Sequence, residues 1–305
     1  MQEKIIHEVG LRDGLQMEKT TVPTEKKIEW TNKLIDAGID IIQLGSFVHP
    51  TKVPQMADTN GLCRHFINNK PKENITFSGL VLNEKGMERG MDCGVEMFCM
   101  GVSASETHSQ KNTRMTTAEA TERIINMAKE AMSSGKSVQV SVQSAFGCGF
   151  EGEIPEERVL GIVDKYLENG IRMISLADTA GHGNPYKVES LFTKIKKAAP
   201  EAELACHFHN TYGLGLANIF AAMNSGVKYY ETAFGGLGGC PFTKTAAGNV
   251  CTEDFIHTLH RSKDRTDVNL IVLNDLAKDI AGFFGKELPG LVYKTGGITD
   301  TNFTN

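Results

Sequence analysis

The sequence predicts a (β/α)8 barrel. Short apolar runs rich in β-branched residues alternate with amphipathic stretches of helical period, and eight such alternations occur along the chain. Several of the amphipathic stretches end in Ala-Gly, Ser-Gly or Asn-Gly immediately before the next apolar run, the usual helix-to-strand return. Runs this apolar leave no face for water, so they read as buried parallel strands, which need helical crossovers between them. Eight strand–helix units close into a barrel, and 305 residues fit one such domain, typically about 250 residues before extensions.

The strand candidates, in order, are 4–9 (KIIHEV), 39–47 (IDIIQLGSF), 75–81 (ITFSGLV), 95–104 (VEMFCMGVSA), 137–145 (SVQVSVQSA), 171–178 (IRMISLAD), 202–209 (AELACHFH) and 227–235 (VKYYETAFG). Among the helices, TEKKIEWTNKLIDAG carries Thr24 as its expected N-cap and Gly38 just past its end. TAEATERIINMAKEAMSSG, PEERVLGIVDKYLENG and PYKVESLFTKIKKAAP show the same period, and the eighth helix is expected to start near Gly248. From about Asp264 one more helical run, LIVLNDLAKDIAGFFG, precedes a polar tail. The expected layout is a catalytic barrel over 1–263 with a helical cap and tail over 264–305 in the same domain.

Composition narrows the function. With 40% hydrophobic and 23% charged residues and a formal charge of −5, the chain is globular and mildly acidic. No Lys/Arg block stands out, so neither nucleic acid nor an anionic membrane surface is an expected partner. The seven cysteines (Cys63, Cys93, Cys99, Cys148, Cys206, Cys240 and Cys251) are odd in number, scattered and without C-x-x-C spacing. That usage suits a reducing compartment and argues against a disulfide framework or zinc ribbon. The first strand starts almost at once, and no apolar run approaches the roughly 18 residues of a membrane span, so a cytoplasmic protein without a signal peptide is expected.

In such barrels the site forms where strands end and the following loops begin. Strand 1 runs into GLRDGLQ with Arg12 and Asp13, strand 2 ends near Gln43, Ser46 and His49, and strand 6 ends at Asp178. Strand 7 ends in HFHN, and strand 8 runs into GGLGGCPFTKTAAGN, which holds Cys240 and Asn249. Residues two apart on a strand share a face, so His207 and His209 point the same way and Phe208 the other. Two convergent imidazoles can grip one divalent ion, with Asp13 completing one side of its shell. A mixed nitrogen–oxygen set suits Mg²⁺, Mn²⁺ or a related ion better than structural zinc. The four glycines before Cys240 fit no phosphate-binding fingerprint; they read as hinges of a mobile lid carrying an exposed thiol. His7, His65, His108, His182, His257 and His260 show no partner in the sequence.

EVGLRDGLQ, SFVHPTKVPQM, FGCGFEG, SLADT, HFHNTYGLGLAN and GLGGCPFTKTAAGNVCTED, in that order from Ile5 to about Asp254, resemble the 3-hydroxy-3-methylglutaryl-CoA lyases, a branch of a metal-dependent barrel superfamily. The resemblance implies that Asp13, His207, His209 and Asn249 bind the divalent cation and that Arg12, Asp178 and Cys240, with His207, serve catalysis. Arg12, Gln43 and Ser175 are the candidate substrate contacts. An acyl-CoA substrate and a homodimer are implied too. One position departs from the family: where the lyases carry Glu in a pattern like IEVTSF, this chain reads IQLGSF, with Gln43 and Gly45. Loss of that charge is expected to leave Arg12 without its orienting partner and to make the site more electropositive, favouring a more anionic substrate or a different hydroxyl geometry. Alternatives are a lyase for another 3-hydroxyacyl-CoA such as citramalyl-CoA, a condensing synthase, or a silent acyl-CoA- or metal-binding protein.

Overall fold

The computed structural model describes residues 3–70, 74–239 and 248–298. Its eight strands are β1 (Ile5–Glu8), β2 (Ile41–Ser46), β3 (Thr76–Leu80), β4 (Met97–Ser103), β5 (Ser137–Gln143), β6 (Met173–Asp178), β7 (Glu203–Phe208) and β8 (Tyr229–Thr232). All pair in parallel in chain order, and β8 returns to β1, closing the barrel. The helices are α1 (Thr24–Ala37), α2 (Thr59–Asn68), α3 (Glu84–Asp92), α4 (Glu106–Thr113), α5 (Thr117–Ser133), α6 (Glu156–Glu168), α7 (Pro185–Ala198), α8 (Gly215–Asn224), α9 (Thr252–Arg261), α10 (Leu270–Phe284) and α11 (Val292–Thr295).

Local chemistry explains most boundaries. α5 opens on a capping box in which Thr116 accepts the Glu119 N–H and the Glu119 carboxylate accepts the Thr116 N–H. α1 stops at Gly38 in the left-handed region at φ 86°. Thr24 is not the cap of that helix. Pro23 holds the position, Thr24 is the first helical residue, and its hydroxyl donates to Asp58 at 2.9 Å. The proline's fixed φ already sets the entry angle, so the hydroxyl is free for a partner across the loop. The eighth crossover helix begins at Thr252, four residues after Gly248, because the intervening chain bonds back onto the ends of β7 and β8: Val250 N–H donates to Phe208 O and Ala233 N–H to Val250 O.

Side-chain alternation divides the barrel wall. Outward residues join the helices in one continuous apolar core, including Trp30, Phe98, Phe208 and Phe234. Inward residues form two storeys. At the strand starts Ile41, Met97, Ala205 and Tyr229 make an apolar plug. Above it sits a polar layer in which His207 and His7 are each in register with Glu231. α10 lies on α1, where Trp30 Nε1 donates to Asp279 at 2.8 Å and its ring meets Phe283 edge-on at 5.5 Å.

Candidate metal centre and active site

The polar layer opens upward into a cavity of about 240 Å³ lined by Arg12, Asp13, Gln43, Ser175, His207, His209 and Glu231, among others. Asp13 and Arg12 stand on one tight turn, Gly10–Gly14, in which the Arg12, Asp13 and Gly14 N–H groups all converge on Val9 O. His207 is the last residue but one of β7, and its Nε2 lies 3.1 Å from that of His209. Asp13 Oδ2 is 3.9 Å and 3.7 Å from those two nitrogens. Asp13, His207 and His209 therefore form a buried cluster able to hold a metal ion. Asn249 joins it, its amide nitrogen donating to Asp13 Oδ2 at 2.8 Å and to Leu237 O at 2.9 Å.

Two features favour a cation there. His207 Nδ1 faces the Glu231 carboxylate at 2.9 Å, so it carries the proton and leaves the Nε2 lone pair aimed at the cluster. Asn249 Oδ1 is buried without a hydrogen-bond partner among the described residues. An oxygen–nitrogen donor set without thiolate is the chemistry of a hard or borderline divalent ion.

The charges interlock. Burial disfavours the Asp13 anion, but the Arg12 guanidinium and then His209 and His207 outweigh it and hold this carboxyl well below the usual range. Arg12 reaches Asp13 through Nη1 and the Gln43 amide oxygen through Nε at 2.5 Å. The expectation that Gln43 would leave Arg12 unoriented is therefore wrong. An amide oxygen accepts from guanidinium as a carboxylate does, and Asp13 supplies the charge. Gly45 has a separate reason: a Cβ there would lie 2.4 Å from Thr59 Oγ1, where α2 packs onto β2.

One expected residue is placed differently from the rest. Asp178 is fully buried, but it pairs in register with outward-facing Phe208, and its oxygens accept the backbone N–H groups of His182 and Gly183 at 2.9 and 3.0 Å. Ala177 and Thr179 line the cavity at that point. Burial raises the Asp178 pKa. Ser175 lines the cavity while its hydroxyl donates to Glu231 at 2.9 Å. Cys240 and residues 241–247 lie outside the described residues; Gly239, which precedes them, lines the cavity.

Sequence reasoning missed Glu231. Buried on β8, it accepts from His207, Ser175 and Gln139, the last at 2.5 Å. Burial opposes its charge, but the His207 hydrogen bond prevails and draws its pKa down to about 2. The available signal was parity: Glu231 stands two residues from inward-facing Tyr229. His7, for which the sequence showed no partner, faces Ser78 Oγ at 2.8 Å, its pKa lowered to about 4 chiefly by burial.

The HMGL-like family profile matches residues 4–280. The chain belongs to that family. A hydroxymethylglutaryl-CoA lyase of Bacillus subtilis is 36% identical over 284 residues, covering 93% of this chain and 94% of the relative. An (R)-citramalyl-CoA lyase of Chloroflexus aurantiacus is 33% identical over 305 residues, covering 98% and 96%. A solved HMG-CoA lyase of Acinetobacter baumannii, in complex with coenzyme A and 3-methylmalate, superposes with a TM-score of 0.91 at 36% identity, covering 98% of this chain and 96% of that one. Within this HMGL-like chain, residues 4–280 take in the whole closed barrel and most of α10, so the Asp13–His207–His209 cluster, Arg12 and Glu231 all fall inside the family's domain.

Proposed function

We propose that this chain is a divalent-metal-dependent carbon–carbon lyase cleaving 3-hydroxy-3-methylglutaryl-CoA, or a close 3-hydroxyacyl-CoA, to acetyl-CoA and a keto acid. The observation that carries the reading is the Asp13–His207–His209 cluster sharing one cavity with Arg12 in a member of this family. Asp13, His207, His209 and Asn249 would hold Mg²⁺ or Mn²⁺. When bound, such an ion supplies Lewis-acid polarisation of the substrate hydroxyl and fixes its orientation.

The residues divide the remaining work. The bond between the hydroxyl-bearing carbon and the thioester α-carbon breaks; its electron pair passes to the acetyl-CoA enolate, and the hydroxyl oxygen becomes the keto oxygen. Arg12, held by Gln43 and Asp13, presents its free donors to the thioester oxygen as negative charge builds there. The hydroxyl proton would pass to His207 or to Asp178; Asp178 would first have to turn from the outer wall, away from the backbone N–H groups of its own loop. Cys240, next in the chain after Gly239, returns a proton to the enolate carbon. A cavity of about 240 Å³ takes a branched acyl group and leaves the nucleotide portion of coenzyme A outside the barrel.

A second reading is cleavage of citramalyl-CoA. The full-length match to the Chloroflexus aurantiacus lyase favours it. The experiment is a panel of 3-hydroxyacyl-CoAs offered to Mn²⁺-loaded protein, with acetyl-CoA release as the readout and Gln43→Glu alongside. Release from the methylglutaryl substrate supports the first reading, release from citramalyl-CoA alone the second, and no release from any thioester leaves only a silent binder. Asp178→Asn retaining full turnover would move the proton to His207. A homodimer and a cytoplasmic location belong to the same proposal, the first by family resemblance and the second by the scattered cysteines. No helix among the described residues is long and apolar enough to cross a membrane.

A further inference from the structure

Glu8 takes no part in the chemistry above, yet the hydrogen bonds around the site converge on it. It is fully buried on β1, one residue beyond inward-facing His7 and so turned to the opposite face. One carboxylate oxygen accepts the N–H groups of Gly10 at 2.7 Å and Phe234 at 3.0 Å. The other accepts the Thr252 hydroxyl at 2.5 Å, which also meets Thr232 Oγ1 at 2.8 Å.

Each donor begins or closes a segment that bears on the metal cluster. Gly10 opens the turn that presents Arg12 and Asp13. Phe234 opens the turn leading to Leu237, whose carbonyl accepts both the backbone N–H and the side-chain amide of Asn249. Thr252 follows Asn249 by three residues and starts α9. The contact leaves no slack: a Cβ on Gly10 would stand 2.6 Å from Glu8 Oε1 and from the Phe234 ring. Backbone N–H groups buried in this way need an acceptor, and one carboxylate has enough lone pairs for all three donors.

We propose that Glu8 is a positioning residue for the metal centre, setting Asp13 and Asn249 at their mutual distance while touching neither ion nor substrate. The inference rests on the metal-binding reading of the cluster. Its basis is hydrogen-bond geometry and not charge, so glutamine can serve: the amide oxygen still accepts both N–H groups, and the amide nitrogen donates to Thr252, whose hydroxyl can reverse its role. Alanine leaves both N–H groups without an acceptor.

The test is titration of wild type, Glu8→Ala, Glu8→Gln and Thr252→Val with Mn²⁺, followed by electron paramagnetic resonance of the free ion, with circular dichroism to confirm folding. Amide hydrogen exchange at Gly10 and Phe234 is read in parallel. Glu8→Ala is expected to bind Mn²⁺ about tenfold or more weakly, on the scale of outer-shell losses, with faster exchange at both amides. Glu8→Gln should stay within about threefold of wild type, and Thr252→Val should lose about threefold, the scale of one hydrogen bond. A folded Glu8→Ala variant with wild-type affinity overturns the proposal. Should that variant not fold, wild-type affinity and exchange in Thr252→Val overturn it instead. Wild-type protein that binds no Mn²⁺ sinks the metal reading and this inference with it, an outcome distinct from a Glu8→Ala variant that binds as tightly as a metal-binding wild type.

Discussion

Glu231→Gln is the most direct test of how the barrel interior builds the site. The wild-type carboxylate is buried and accepts from His207, Ser175 and Gln139. Its pKa lies at about 2 against an ordinary 4.5, a depression that corresponds to about 3 kcal/mol of preferential interaction with the ionised form. The amide keeps the shape but loses the charge and turns one acceptor into a donor. That donor faces either His207 Nδ1–H or the Ser175 and Gln139 donors. The expected cost is on the order of 3 kcal/mol of stability at neutral pH, a drop of about 5 °C in midpoint for a domain of this size. Metal affinity should fall by about 10- to 100-fold, because His207 loses the partner that fixes its tautomer. Guanidinium unfolding in the presence of a chelator isolates the first number, and Mn²⁺ titration of the folded variant gives the second. A variant as stable as wild type that binds Mn²⁺ equally well would refute the reasoning.

Other outcomes follow from the same geometry. Adding Mn²⁺ at about 100 times its dissociation constant should stabilise the wild type by about 2.7 kcal/mol and leave His209→Ala unchanged, read as the shift in thermal midpoint. Arg12→Lys replaces a planar fork, which spans Gln43 and Asp13, with a point charge; turnover should fall by about 10²- to 10³-fold, measured as acetyl-CoA release. Glu253 is fully buried with its pKa raised to about 7, chiefly by desolvation. A raised carboxyl pKa costs nothing below the unfolded value near 4.5 and destabilises increasingly as pH climbs through 7. Glu253→Gln should therefore raise the thermal midpoint at pH 8 relative to wild type by more than it does at pH 4.5, and equal shifts at both would contradict the assignment.

The sequence by itself determined the architecture and half of the site. Continuous apolar runs set eight buried strands apart from their crossover helices, because a strand covered on both faces shows no side to water while a helix keeps one apolar face at a period of 3.6 residues. Glycine at position 38 marked a helix end by its conformational freedom, and His-x-His announced a shared face by strand parity alone. The same parity places Asp178 beside Leu176 on the outer wall, a fact that position at a strand end obscures. Barrel closure decided the rest. Glu231 lies 24 residues from His207 and 92 from Gln139, in a run that reads as ordinary buried strand. Glu8 meets Phe234 and Thr252 only because β8 returns to β1. Gln43 found its place beside Arg12 through the packing of β1 against β2. Local pattern reports which way a side chain points; the identity of the group it meets there depends on register around a closed ring, which no single segment contains.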